Sequence, residues 1–129
     1  MKGFVDDIED LTEDNDDFRR VLYTGKHLQL VLMALAPGEE IGEEVHDDGD
    51  QFFRVEEGEG TVMIDGVEHA IEDDDAIVVP AGARHNVINT GSGPLKCYTV
   101  YGPPEQRHGT VHASKADARE EHFDGKTTE

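Results

Sequence analysis

The sequence predicts an all-β fold, a sandwich or a barrel, and two observations lead to this prediction. The first is a series of about nine short segments rich in Val, Ile, Leu, Tyr and Phe, separated by Gly, Asp and Pro roughly every 8–12 residues. The second is the lack of a helical period between these segments. The chain also carries 14 glycines in 129 residues, which suits a fold with many turns.

Turn signals separate the predicted strands. Gly25-Lys26 and Asp65-Gly66 each lie between two apolar segments and are typical of hairpin turns. Pro37-Gly38 ends the segment that follows the first of these turns. The predicted strands are residues 18–24, 27–36, 41–46, 51–56, 61–64, 67–71, 76–79, 84–90 and 95–101.

The two ends of the chain are predicted to lie outside the strands. Up to about residue 17 the sequence is acidic and accommodates one short helical turn. Near the C terminus, residues 113–123 are predicted to form a short helix, with Ser114 as its N-cap and Asp117 as a capping-box partner. The length corresponds to one domain, with a barrel core at about 18–104 and a C-terminal extension with a frayed tail at 105–129.

Acidic residues dominate the composition. Thirty Asp and Glu against eleven Lys and Arg give a net charge of −19, which repels nucleic acids and anionic membranes and excludes both as partners. The charge is spread along the chain, as in an ordinary acidic protein or in one from a salt-adapted, halophilic organism. Few basic residues and a hydrophobic content of 36% favour the second interpretation.

The chain is expected to be cytoplasmic. Its N terminus is acidic and has no sustained apolar stretch of the secretory kind, and the longest apolar run, residues 30–36, is too short to cross a bilayer. Cys97 is the one cysteine, so an internal disulfide and a thiolate zinc cluster are excluded. It is expected to be a small buried hydrophobic residue, because its segment has strand character.

Three polar side chains form the beginning of a candidate metal site. Glu44 and His46 are two residues apart on a predicted strand and therefore share a face. If the strands on either side of residues 47–50 close a hairpin, Gln51 lies directly opposite His46 on that same face.

His85 enters this candidate site from elsewhere in the barrel. It follows Pro80 and Gly82, where proline fixes one dihedral angle and glycine permits a sharp bend that turns the next strand inward. Together the four side chains offer two imidazole nitrogens, one carboxylate and one amide oxygen. Such a set suits one divalent ion of Zn, Fe, Mn, Ni or Co and does not choose among them.

A structural role is the alternative for each candidate ligand. His46 and His85 would then be hydrogen-bonded residues at the barrel mouth, and Glu44 one more acid in an acid-rich segment. Gln51 would cap the hairpin or hold a water molecule. Four further residues alternate with Gln51 or with His85 along their strands and are expected to line a cavity: Phe53, Val55, Val87 and Asn89.

The segment from Pro80 to Asn89 resembles the second motif of the cupins, a superfamily of jelly-roll barrels. That motif, G-x5-P-x-G-x2-H-x3-N, is matched at Pro80, Gly82, His85 and Asn89. Its opening glycine is replaced by Asp74, in a turn where aspartate is tolerated.

The first cupin motif, G-x5-H-x-H-x(3,4)-E-x6-G, is matched more loosely. Gly58 sets the register, which puts Gln51 at the glutamate position and His46 at the second histidine position. Glu44 stands at the first histidine position and Gly38 at the opening glycine. Two of the four expected ligands are therefore substituted, although four donor groups remain.

The resemblance covers residues 28–103 and implies a small single-domain cupin with an RmlC-like double-stranded β-helix. It implies one metal ion in the barrel and a homodimer. Cupins include isomerases, dioxygenases, decarboxylases and bare binding domains, so the fold does not select an activity.

Two functions remain open at this point. In the first, the ion acts on a small oxygen-bearing metabolite in a dioxygenase-like or isomerase-like reaction, with Glu44 as a general base if it leaves the metal. In the second, the chain is a non-enzymatic small-molecule-binding or self-associating module with a structural metal ion or none.

The charge predicts that salt stabilises the fold. Raising KCl from 0.1 M to 1 M shortens the Debye length from about 10 Å to about 3 Å and screens the self-repulsion of the acidic surface. We expect the midpoint of thermal unfolding to rise by about 5 °C or more over this range. Calorimetry in KCl measures this without the general stabilising effect of sulfate. An unchanged midpoint would contradict the interpretation of salt adaptation.

Overall fold

Ten β-strands, one α-helix and one 3-10 helix make up the chain in the computed structural model, which describes residues 1–129. The α-helix α1 spans Ile8–Asp14 and the 3-10 helix spans Lys115–Asp117. The strands are β1 (Arg19–Thr24), β2 (Gln29–Leu35), β3 (Glu44–Val45), β4 (Asp50–Glu57), β5 (Glu59–Ile64), β6 (Val67–Glu72), β7 (Ala76–Val79), β8 (Arg84–Ile88), β9 (Leu95–Gly102) and β10 (Val111–His112).

The strands form two antiparallel sheets that close over one apolar core. The larger sheet has the order β10-β1-β2-β9-β4-β7, and the smaller one has the order β3-β8-β5-β6. Fifteen buried residues from both sheets make up the core, among them Val31, Phe53, Val62 and Val87. The predicted all-β fold, a jelly-roll barrel with short helical segments, is confirmed.

Alternation along β4 positions the larger sheet against this core. Gln51, Phe53 and Val55 are buried, whereas Phe52 and Arg54 on the opposite face are only partly covered. The same alternation on β9 buries Cys97, and burial raises the pKa of its thiol to about 12. That thiol is therefore a core residue and not a reactive group.

One of the two predicted hairpin turns has the expected backbone, whereas the turn predicted at Gly25-Lys26 is a four-residue loop, because Thr24 pairs with Gln29. In the hairpin between β5 and β6, Asp65 and Gly66 have φ angles of 47° and 80°, as a type I′ turn requires. Asp74, which replaces the first glycine of the second cupin-like motif, also has a positive φ of 73°. Its carboxylate accepts a hydrogen bond of 3.0 Å from Arg54, a contact that glycine cannot provide.

The predicted hairpin between residues 41–46 and 51–56 is wrong. Within residues 41–46 only Glu44–Val45 forms a strand, and this strand pairs with β8 in the smaller sheet. β4 instead pairs with β7 and β9 in the larger sheet. His46 and Gln51 therefore do not share a ladder, and Gln51 instead approaches His85 from the opposite sheet.

Both helical segments are short. α1 begins after Asp7, whose side chain accepts a hydrogen bond from the backbone of Asp10 as an N-cap. The predicted helix at 113–123 is a single 3-10 turn, because the residues after it pair with another loop: an isolated β-bridge joins His122 to Gln106. Neither helix has the length and apolar content needed to cross a membrane.

Gly58, which sets the motif register, allows a close backbone contact. A Cβ at this position would lie 2.3 Å from the carbonyl oxygen of Pro94, and its φ is +92°. We expect Gly58→Ala to lower the free energy of unfolding by about 3 kcal/mol, from backbone strain and overpacking together. Chemical denaturation measures this loss.

Gly66→Ala is the matched control for this substitution. Gly66 has a similar φ of +80°, but a Cβ there meets no atom within 4 Å. Gly66→Ala should lower the free energy of unfolding by about 1 kcal/mol, from backbone strain alone. Equal losses for the two variants would show that the contact with Pro94 is unimportant.

Candidate metal centre

Three of the four predicted ligands meet at the junction of β3 and β8. Glu44 is paired directly with His85 across these strands, and His46 follows β3 by one residue. One ligand atom from each of Glu44, His46 and His85 lies within 4.8 Å of the others. The sheet register therefore gathers these groups without a hairpin between His46 and Gln51.

His85 is held with one nitrogen facing this junction. The residue is 4% exposed, and its Nδ1 lies 3.0 Å from the backbone carbonyl oxygen of Ala83. A carbonyl oxygen only accepts hydrogen bonds, so Nδ1 carries a proton and donates it. In the neutral ring, Nε2 then carries the lone pair.

Gln51 presents its amide oxygen to that lone pair. The hydroxyl of Thr99 donates to the carbonyl oxygen of Phe52 at 2.8 Å, so it accepts a hydrogen bond from Gln51 Nε2 at 3.0 Å. This chain turns Gln51 Oε1 toward His85 Nε2, at a distance of 3.2 Å. Two acceptor atoms consequently face each other inside the barrel.

The facing acceptors show that the donor set fits a cation. A nitrogen lone pair and an amide oxygen at 3.2 Å need either a proton on His85 Nε2 or a metal ion close to both. Glu44 and His46 add a carboxylate and a second imidazole beside them. The nitrogen and oxygen donors suit a divalent transition metal ion.

Two carboxylates flank His46. Its Nδ1 lies 3.6 Å from Glu105, and its Nε2 lies 3.0 Å from Glu44. Hydrogen bonding to Glu105 and to Glu44 raises the pKa of His46 to about 9. In turn, His46 holds the pKa of Glu105 below its usual value. A carboxylate behind a histidine is the arrangement that orients metal-binding imidazoles.

The sequence did not reveal Glu105 or Thr99, and it left open which of Tyr98 and Tyr101 reaches the cavity. Glu105 comes after the strands, where no motif or periodicity singles out one acid among thirty. Thr99 and Tyr101 lie on β9 among buried residues and resemble ordinary core positions. The ring of Tyr101 packs edge-on against His46 at a centroid distance of 5.7 Å.

The four residues expected to line the cavity lie elsewhere. Phe53, Val55 and Val87 are 1–2% exposed and pack in the closed core. The amide of Asn89 donates to the carbonyl oxygens of Leu35 and Gly93, and its oxygen accepts from Gly91. Asn89 therefore stabilises the loop after β8.

A cavity of about 250 Å³ lies beside His46 and Glu44. The C-terminal segment forms its far wall, and the lining is almost entirely polar. The lining residues are Arg19, Glu43, Glu44, Val45, His46, Glu105, Gln106, Arg119, Glu120, Glu121 and His122.

Comparison with known proteins identifies relatives of matching sequence and structure. The uncharacterized protein YrkC of Bacillus subtilis is 50% identical over 123 residues, which cover 91% of this chain and 66% of YrkC. An uncharacterized protein of Acanthamoeba polyphaga mimivirus is 37% identical over 112 residues, which cover 84% of this chain and 70% of the viral protein. The chain thus spans about two thirds of these relatives.

A solved structure has the same architecture. The crystal structure of BH2720 from Bacillus halodurans superposes with a TM-score of 0.88 at 50% sequence identity, over 90% of this chain and 92% of that one. The family model of the cupin domain matches residues 31–101, which include the strands that carry Glu44, Gln51 and His85. This match, together with the two facing antiparallel sheets, shows that the chain belongs to the cupin domain family.

Proposed function

We propose that this cupin binds one divalent metal ion through His46, His85, Gln51 and Glu44, and that a small oxygen-bearing molecule occupies the adjacent cavity. The observation that supports this most is the pair of acceptors, His85 Nε2 and Gln51 Oε1, aimed at each other at 3.2 Å. Glu44 and His46 supply the remaining donors within 4.8 Å.

The residues around the ion have distinct roles in this proposal. Once bound, the ion polarises or activates an oxygen atom of its ligand. Glu105 keeps a proton on His46 Nδ1 and so leaves Nε2 free to coordinate. Glu44 is partly exposed beside the cavity, where its carboxylate can accept a proton. Burial raises the pKa of Tyr101 above its ordinary value, so its phenol stays protonated.

The alternative is a binding module without catalysis. It requires the same barrel and the same cavity but a structural ion or none. Small-molecule turnover distinguishes the two functions, and metal content decides whether either needs an ion.

Metal content is the first test of the proposal. Protein purified without an affinity tag or chelator should contain about one equivalent of a transition metal by elemental analysis. His46→Ala and His85→Ala should each weaken metal binding by more than about 100-fold, since each removes a ligand and not only a group that orients one. Both variants should still unfold cooperatively.

His69→Ala is the matched control for the two histidine variants. His69 is exposed on β6, away from the junction of β3 and β8, so its loss should leave metal content unchanged. Full metal occupancy in both His46→Ala and His85→Ala would refute the proposed site.

Metal affinity should depend on pH because the ion displaces a proton. In the metal-free protein the pKa of His46 is about 9, so at pH 7 the ring is protonated. Binding releases that proton, and the affinity should rise about tenfold per pH unit until pH 9, then level off. Glu105→Gln removes the first cause of the raised pKa and should move the plateau to lower pH. A flat profile between pH 6 and 9 would contradict the proton displacement.

A further inference from the structure

Arg19 is a buried cation with no carboxylate within 4 Å. The residue is 6% exposed and lines the cavity beside the metal centre. Its Nη1 lies 3.4 Å from Nδ1 of His112, the residue opposite it on β10. Its Nε is buried and has no hydrogen-bond partner. A guanidinium group offers five donors, so most of its capacity is unused.

The other buried basic side chain, Lys96, pairs with Asp16 at 3.2 Å, whereas Arg19 has no such counter-charge. Thirty acidic residues are available, and buried charges are destabilising unless they are paired. The face of Phe18, 5.3 Å from the guanidinium carbon, gives a weaker cation–π contact. A buried guanidinium with no acid within 4 Å is suited to an anion from outside the chain.

Four of the five glutamates in the cavity wall have a cationic or histidine partner within 4 Å. Glu43 pairs with Arg84, Glu121 lies 3.8 Å from Arg107, and the remaining pairs join Glu44 and Glu105 to His46, and Glu105 to His122. The lining groups left without an ion pair are Arg19, Arg119 and Glu120. Two of these three are arginines, and a metal ion would add further positive charge.

We propose that Arg19, with Arg119 at the exposed side of the cavity, binds the carboxylate of a small organic acid. The planar fork of arginine matches a carboxylate, and a cavity of about 250 Å³ holds an acid of a few carbons. The second oxygen-bearing end of the acid then lies toward the metal centre, so this inference rests on the proposed function. The acidic residues of the lining favour a singly charged carboxylate group over a phosphate.

The first test uses the wild-type protein and malonate. Nitrogen-detected NMR of the arginine Nε–H groups, in metal-free protein at constant ionic strength, follows Arg19 directly. Malonate should shift the Arg19 and Arg119 signals with one saturating dissociation constant and leave Arg20 unchanged. Arg20 is the control because it lies next to Arg19 on β1, is exposed and pairs with Asp17. Malonamide, the neutral isostere, should shift none of them.

Variants measure how much Arg19 contributes. Arg19→Gln should weaken malonate binding by about 30-fold, the loss expected for a charge-assisted contact. Arg19→Lys keeps the positive charge but not the planar fork of the guanidinium, so its affinity for malonate should lie between those of the wild type and Arg19→Gln. Arg20→Gln should bind malonate like the wild type. If Arg19→Gln does not fold, the wild-type NMR titration still decides.

Each outcome bears on one proposal at a time. The inference is overturned if malonate leaves the Arg19 signal unchanged, if Arg19→Gln binds malonate like the wild type, or if phosphate binds more tightly than malonate. Metal content is measured on the purified protein before the ion is removed for the titration. If the purified protein holds a metal ion but malonate leaves Arg19 unchanged, the anion site alone is refuted. If the purified protein holds no metal ion and takes none up, but malonate shifts Arg19, only the metal site is refuted.

Discussion

The mutual orientation of His85 and Gln51 is the constraint on which the candidate site depends. His85 is tied to the smaller sheet through the carbonyl oxygen of Ala83, and Gln51 is tied to the larger one through Thr99. Neither side chain can turn away without losing a buried hydrogen bond. Two hydrogen-bond acceptors, His85 Nε2 and Gln51 Oε1, are consequently held facing each other between the two sheets. A proton or a metal ion between them would remove their mutual repulsion.

The protein surface and the cavity wall differ in how their charged groups are paired. On the surface, acids greatly outnumber bases and much of the charge is solvated. Inside the cavity wall nearly every acid has a cationic partner, while Arg19 has none. Arg19 is thus a buried cation without an ion pair in a molecule whose net charge is negative. An anionic ligand would meet long-range repulsion but local attraction, which favours selectivity over rapid capture.

The sequence predicted which residues form the candidate site better than it predicted how the strands that carry them pair. Turn residues and alternation identified most strands, because these signals are local. The motif register identified His46 and His85, and the structure brings both together with Glu44. The hairpin prediction for His46 and Gln51 failed because pairing partners depend on topology, which no local pattern specifies. Glu105 and Arg19 escaped notice since their importance comes from distant neighbours.

The cavity draws on two separable parts of the chain. The barrel strands carry the candidate metal ligands, whereas the segment after β9 supplies Glu105, Arg119 and the far wall. That segment is held to the barrel by the two-residue strand β10, by loop pairing and by a single 3-10 turn. Substitutions there can reshape the chamber at little cost to the core. Changes in this C-terminal segment can therefore alter which ligand the cavity accepts while the barrel residues Glu44, Gln51, His46 and His85 keep their positions.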